Sequence, residues 1–163
     1  MDNDDSRLLA LRDLFSTVDE VVLAYLFGSR AEGREHPASD WDIALVTESP
    51  LTYERRFELE HAARQLVDGE VQLVPMQSAP IEMRFRVVAT GRLLFQRSVE
   101  ERVEWEANTM SRYYDALPGL LRWRAELIEG GNTDAAIRRY RKSAGKTRRL
   151  PQQAGGDSYR QPG

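Results

Sequence analysis

Apolar and polar residues alternate along this chain in blocks whose spacing predicts helices followed by strands. Leucines and a phenylalanine between residues 8 and 15 recur at helical spacing behind the acidic pair Asp4-Asp5, which predicts a first amphipathic helix. Residues 21–27 are rich in β-branched and aromatic side chains and end at Gly28, as expected for a buried strand. Residues 43–46 have the same character. The N-terminal half is therefore predicted to hold two core strands behind one packing helix.

The pattern continues beyond the second strand. Apolar positions over residues 51–67 predict a second helix with Thr52 as its cap, and residues 70–74 predict a third strand. A helix is predicted from Pro80 to Gly91, followed by an edge strand at residues 93–95. This mixture of helices and short strands predicts the α+β class.

A long charged helix is predicted next. Ser98 and Glu101 form a capping-box pattern that opens it, and Pro118 is predicted to interrupt it. A final helix then runs to the glycines at 130 and 131. The aromatic residues of this segment are compatible both with packing on the sheet and with contact to a partner protein.

Composition narrows the class of protein. A chain of 163 residues with 41% hydrophobic residues is long enough for one domain with a real core. The absence of cysteine excludes disulfides and thiolate chemistry, and two histidines disfavour a histidine-rich zinc site. The longest apolar run is too short to cross a membrane and the first residues are acidic, unlike a signal peptide. A cytoplasmic protein without a membrane segment is expected.

The C-terminal segment differs in kind from the rest. Residues 131–163 contain eight Lys or Arg against two Asp, although the whole chain has a net charge of −3. Their composition, poor in large apolar residues, predicts a disordered tail. Two interpretations stay open: a solvated extension, or a basic arm that contacts RNA, the acidic body or a partner.

Candidate chemistry lies between the first two strands. Gly28 lets a phosphate approach the backbone, and the Ser29 hydroxyl and nearby amides can donate to phosphate oxygens. Asp40 and Asp42 share one face of the second strand, whereas Trp41 faces the other way. Two such carboxylates repel each other unless a cation lies between them, and oxygen ligands suit Mg²⁺. A Gly-Ser pair alone is usually a turn, and two alternating aspartates alone are usually a solvated strand end. Gly28-Ser29 followed at this spacing by Asp40 and Asp42 is a more specific sign of a functional site.

Gly28-Ser29 followed by Ser39-Asp40-Trp41-Asp42 resembles the signature of the nucleotidyltransferase superfamily related to DNA polymerase β, in its minimal nucleotidyltransferase branch. Segments at 71–74, 79–80, 91–95 and 113–118 resemble antitoxins encoded beside HEPN-domain toxins, and the resemblance covers residues 6–128. It implies a small mixed β-sheet with flanking helices, followed by C-terminal helices. Together with the composition of the C-terminal segment, it divides the chain into a nucleotidyltransferase core (1–97), a helical extension that packs on the core or on the partner (98–130) and the basic tail, which is predicted to be disordered (131–163).

The resemblance also implies an activity. An antitoxin of this kind transfers AMP from ATP, with Mg²⁺, to a tyrosine of a HEPN ribonuclease toxin. Asp40 and Asp42 would hold the metal, and Gly28 and Ser29 would hold the phosphates. Arg30 is a nearby cation that could contact the triphosphate.

One position departs from the superfamily pattern. The superfamily carries a third carboxylate on the next core strand, and the matching residue here is Gln72, a neutral amide that is too weak a base to accept a proton. Glu70, two residues earlier and so on the same strand face, is the candidate substitute. The alternative function is a catalytically impaired antitoxin that masks its toxin without modifying it. A transferase acting on a small molecule is disfavoured, because the short chain leaves little room for an acceptor pocket.

Overall fold

The computed structural model describes residues 3–33, 39–67, 69–130 and 138. Within them the chain forms α1 (Asn3–Ser16), β1 (Val21–Phe27), β2 (Trp41–Thr47), α2 (Tyr53–Val67), β3 (Val71–Pro75), α3 (Ile81–Thr90), β4 (Arg92–Gln96) and α4 (Val99–Gly130). The predicted α+β class and the strand bounds at residues 21–27 are confirmed. None of the described helices is long and apolar enough to span a bilayer.

The four strands form one mixed sheet in the order β3-β2-β1-β4. β1 pairs antiparallel with both β2 and β4, whereas β2 and β3 run parallel and are joined by the crossover helix α2. A parallel pair needs such a crossover because the chain must return to the end from which it started. The start of β2, the start of β3 and the end of β1 therefore lie together at one end of the sheet.

Both faces of the sheet are covered. β1 and β2 are the central strands and are buried along almost their whole length, which explains their continuous apolar runs. α1 and α2 pack on the first face, where the largest fully buried side chains are Trp41, Phe15, Leu11, Ile43, Leu45 and Leu73. α3 and the start of α4 pack on the second face, with a smaller core that includes Leu23, Tyr25, Ala44, Met76 and Val87.

Two helix starts follow their predicted capping chemistry. The Thr52 hydroxyl accepts a hydrogen bond from the Arg55 amide at 3.1 Å, at the first turn of α2. The Ser98 hydroxyl accepts from the Glu101 amide at 3.2 Å and donates to the Glu101 carboxylate at 2.9 Å. Both predictions of capping residues are therefore confirmed.

The predicted break at Pro118 is wrong. α4 continues through this residue as a single helix, Val99–Gly130, so one long helix replaces the predicted pair of C-terminal helices. Proline has a fixed φ that the α-helix accepts, and it costs one backbone hydrogen bond and some crowding. Pro118 is exposed, and on such a face the carbonyl that loses its partner can bond to water.

The chain divides into two compact units, residues 1–114 and residues 115–163. The start of α4 belongs to the same unit as the sheet. The division predicted from the sequence, with the core ending at residue 97, stays a prediction. The basic tail predicted over 131–163 lies outside the described residues, apart from Arg138.

Candidate functional site

The strand register brings the predicted site residues to one end of the sheet. Phe27, the last residue of β1, pairs with Asp42 on β2, so Gly28 and Ser29 follow directly beside that carboxylate. On its other side Asp42 pairs with Gln72 of β3. Residues that are 14 and 30 positions apart from Asp42 in sequence thus become its neighbours across the sheet.

The two faces of β2 separate the carboxylates from the core. Trp41 is only 1% exposed and packs in the first-face core with α1 and α2. Asp42 points to the opposite face, where Ala44 also lies. Asp42 is half-buried, and Asp40, immediately before β2, is exposed to solvent.

Gly28 lies against the Asp42 carboxylate. Its φ is +73°, a conformation that side chains disfavour. A Cβ at this position would lie 2.5 Å from Asp42 Oδ2, closer than any real contact allows. The backbone amide of Glu32 donates to the Gly28 carbonyl at 3.2 Å, which closes one helical turn after the glycine. Only glycine lets the turn after β1 approach the Asp42 carboxylate this closely.

Burial and a neighbouring negative charge both disfavour the ionised form of Asp42. Burial raises the pKa of Asp42 above its usual range, and the nearby negative charge of Asp40 raises it further. Only Trp41 separates the two carboxylates in sequence, with Asp40 just before β2 and Asp42 within it. A divalent cation beside both carboxylates would favour the ionised form of Asp42 and so oppose this shift.

The donor set fits a hard divalent cation. Among the described residues, no group of three or more His, Cys, Asp or Glu is placed to hold a metal ion. Asp40 and Asp42 therefore offer two carboxylates, and Mg²⁺ usually takes one or two carboxylates and completes its shell with water and substrate phosphates. The pair fits Mg²⁺ better than a metal that requires an all-protein cage.

Gln72 and Glu70 differ in their position relative to Asp40 and Asp42. Gln72 is exposed and stands directly opposite Asp42 in the parallel register. Glu70 precedes β3, and its carbonyl accepts a hydrogen bond from the Trp41 amide at 2.8 Å. Its carboxylate turns away to α2, where it forms an ion pair with Arg64 at 3.2 Å. The described structure thus brings Gln72, rather than the Glu70 carboxylate, to the neighbourhood of Asp42.

Arg30 has contacts other than the expected phosphate. Its Nε and Nη2 donate to the Ser39 carbonyl at 3.0 and 2.8 Å, and its Nη1 lies 3.7 Å from Asp4 Oδ2 on α1. Its guanidinium carbon lies 4.3 Å above the centre of the Trp41 ring. Trp41 faces α1 and α2, so Arg30 lies on the first face, opposite to the face of Asp42.

The sequence did not predict a second contact that holds the segment after Gly28, an ion pair between Glu32 and Arg86. Glu32 accepts a hydrogen bond from Arg86 of α3 at 2.7 Å, across 54 residues of sequence. Charged residues in a polar loop give no signal of a distant partner, because such pairs are indistinguishable from solvated side chains until the fold is known. Arg30 and Glu32 thus connect one short segment to helices on opposite faces of the sheet.

Comparison with protein families agrees with this geometry. The family model described as polymerase beta, nucleotidyltransferase matches residues 10–100, which contain the whole sheet and the candidate site. A protein of Shewanella oneidensis named protein adenylyltransferase MntA is 31% identical over 111 residues, which are 68% of this chain and 77% of that protein.

Two solved structures of toxin–antitoxin complexes have a fold similar to that of this chain. A toxin–antitoxin crystal structure with AMP-PNP matches with 27% identity and a TM-score of 0.65, covering 77% of this chain and 98% of that chain. A mutant of the MntA toxin–antitoxin complex, in which two aspartates two positions apart are replaced by glutamate, matches with 25% identity and a TM-score of 0.65. That match also covers 77% of this chain and 98% of the other.

Proposed function

Because this chain belongs to the polymerase β nucleotidyltransferase family, we propose that it is an antitoxin that silences a HEPN-family toxin by transferring AMP from ATP to a toxin tyrosine. The close approach of Gly28 to the Asp42 carboxylate, with Asp40 beside it, is the observation that carries the proposal. The similarity to a protein adenylyltransferase and to a toxin–antitoxin complex with an ATP analogue supports the reaction and the partner.

In this proposal each residue of the site has one task. Asp40 and Asp42 hold Mg²⁺, and the Gly28 turn and the Ser29 hydroxyl bind the phosphates of ATP beside them. Mg²⁺ supplies electrostatic stabilisation of the charge on the attacking and leaving oxygens. The toxin tyrosine oxygen forms a bond to the α-phosphorus, the bond from that phosphorus to the bridging oxygen breaks, and pyrophosphate leaves.

The proton of the attacking hydroxyl needs an acceptor. The Gln72 amide beside Asp42 can orient the hydroxyl or a water by hydrogen bonding, but it is not a base near neutral pH. Glu70 is paired with Arg64 and exposed to solvent. We therefore assign the proton to water, and we assign most of the catalysis to positioning and charge stabilisation.

The direct test is transfer of label from α-³²P-ATP to the purified HEPN toxin. Asp42→Asn is expected to lower transfer about a hundredfold or more, because metal stabilisation of a phosphoryl transition state is worth several kcal/mol. Asp13→Asn is the matched control, since this carboxylate is exposed on α1 and forms an ion pair with its neighbour Arg12. Wild-type transfer by the Asp42 variant would refute the assigned site.

Gln72 favours one alternative, an antitoxin that masks the toxin without modifying it. The complex is purified after incubation with ATP and Mg²⁺, denatured to remove the antitoxin, and the toxin is refolded and assayed for ribonuclease activity. Persistent inactivity together with added AMP mass supports transfer. Recovered activity at unmodified mass supports masking.

A further inference from the structure

The Arg30 side chain contacts the residues on both sides of Asp40. It donates two hydrogen bonds to the carbonyl of Ser39, the residue before Asp40, and it stacks on Trp41, the residue after it. Arg30 itself follows Gly28 by two positions. One side chain therefore fastens the start of β2 to the turn after β1.

The burial and the polar partners of the Arg30 guanidinium strengthen its contacts with Ser39 and Trp41. Its side chain is only 12% exposed, and all three guanidinium nitrogens have partners within the protein, since Nη1 faces Asp4. Hydrogen bonds from a charged donor are stronger than those between neutral groups, and the planar guanidinium can place two on one carbonyl. The contact with the Trp41 ring adds a cation–π attraction.

The position of Arg30 separates this role from contact with phosphates. Trp41 faces α1 and α2, so a guanidinium stacked on it lies across β2 from the Asp42 carboxylate. The Asp40 side chain is exposed and has no burial of its own to fix it. The backbone after Asp40 is fixed by the hydrogen bond from the Trp41 amide to the Glu70 carbonyl, whereas the Ser39 carbonyl before it is held by Arg30.

We propose that Arg30 is a positioning residue that holds Asp40 beside Asp42 and thereby sets the affinity of the carboxylate pair for a divalent cation before nucleotide binds. This inference rests on the proposed function only in that Asp40 and Asp42 form the metal site. Residues that orient metal ligands without touching the metal change metal affinity about 10–100-fold when they are replaced.

The test is a titration of the full chain with Mn²⁺ in the absence of nucleotide. Electron paramagnetic resonance measures the Mn²⁺ that stays free. Arg30→Ala is expected to raise the Kd for Mn²⁺ about tenfold or more. Arg86→Ala is the matched control, because Arg86 holds Glu32 of the same segment from the other face, and its Kd is expected to stay at the wild-type value.

Arg30→Lys separates positioning from phosphate binding and covers a failure of the alanine variant to fold. Lysine keeps the charge and suits a phosphate, but it cannot place a planar pair of hydrogen bonds on the Ser39 carbonyl. We expect Arg30→Lys to weaken Mn²⁺ binding, whereas a guanidinium that served only to bind phosphate would leave Mn²⁺ binding without nucleotide at the wild-type affinity.

Two outcomes overturn different claims. Wild-type Mn²⁺ affinity in both Arg30 variants, with loss in Asp42→Asn, overturns the role of Arg30 and leaves the metal site in place. Equal Mn²⁺ binding by wild type and Asp42→Asn overturns the metal site, and the role of Arg30 with it.

Discussion

At the scale of single residues, two glycines with the same backbone conformation have different surroundings. Gly28 and Gly33 have φ values of +73° and +66°, but a Cβ would clash with Asp42 only at Gly28 and would meet nothing within 4 Å at Gly33. A side chain would therefore meet the same conformational penalty at both positions, whereas it would collide with the Asp42 carboxylate only at Gly28.

Gly28→Ala and Gly33→Ala are therefore a matched pair. Both are expected to lose about 1–2 kcal/mol of stability, because an L side chain disfavours positive φ. Only Gly28→Ala is expected to impair AMP transfer and Mn²⁺ binding, since it displaces Asp42. Urea denaturation and the transfer assay measure the two effects. Equal activity of the two variants would contradict the assigned contact.

Asp42 itself is expected to destabilise the metal-free fold near neutral pH. Its pKa is raised in the folded state by burial and by Asp40, so the folded protein binds the proton more tightly than the unfolded chain. The contribution of Asp42 to stability is then fully present below its unfolded pKa and is lost as pH rises through the folded value.

Asp42→Asn should therefore raise the Tm at pH 7 without metal, and the difference should vanish below about pH 4, where the wild-type carboxyl is also neutral. Mg²⁺ should raise the Tm of the wild type and leave that of the variant unchanged. Differential scanning calorimetry checks both. A lower Tm for the metal-free variant at pH 7 would show that the carboxylate stabilises the fold.

Sequence patterns indicated the candidate site residues whose placement depends on the neighbouring stretch of chain. Gly28, Asp40 and Asp42 were visible because a turn and an alternating strand are short-range features. The contacts of Arg30 and Glu70 were not visible. Glu70 shares the parity of Gln72, but it precedes β3, and the return of the chain from α2 brings it to Arg64. Parity along a strand locates a side chain only within the strand.

At the scale of elements, strands were easier to predict than the ends of helices. β1 and β2 are buried on both faces, so their apolar runs mark their bounds closely. α4 carries both Pro118 and Gly119 in its interior, and each weakens a helix. Its continuation through them shows that local propensity alone does not decide a helix end.

Gly119→Ala is expected to stabilise α4. A Cβ at this position meets nothing within 4 Å, so the change gains helix propensity without a clash. The expected gain is about 0.5–1 kcal/mol, the usual difference between glycine and alanine in a helix. Circular dichroism during urea denaturation measures it. A loss of stability would indicate that this position needs glycine for a close contact.

At the scale of the whole molecule, a buried tyrosine connects the sheet to the last helix of its unit. The Tyr25 hydroxyl on β1 donates to Glu106 of α4 at 2.7 Å, and its ring lies 5.8 Å from that of Trp105. Burial raises the pKa of Tyr25, and the hydrogen bond to Glu106 raises it further to a smaller extent. The hydroxyl therefore stays protonated and remains a donor to α4.

Tyr25→Phe removes this hydrogen bond and keeps the ring. We expect a loss of about 1–3 kcal/mol, because the acceptor is a carboxylate that is left without its donor. Tyr53→Phe is the control, since Tyr53 is 71% exposed, and a change within about 0.5 kcal/mol is expected there. Chemical denaturation of both variants compares them. Equal stabilities would show that α4 is held by apolar packing alone.

The pairing of Asp42 with an exposed glutamine on β3 has a consequence for how such chains change over evolutionary time. β3 is an edge strand, and the side chain at position 72 takes no part in either core. A single substitution there alters the acid–base groups beside Asp42 without disturbing either core. The acid–base chemistry available beside Asp42 can therefore change over evolutionary time independently of the packing that holds the fold.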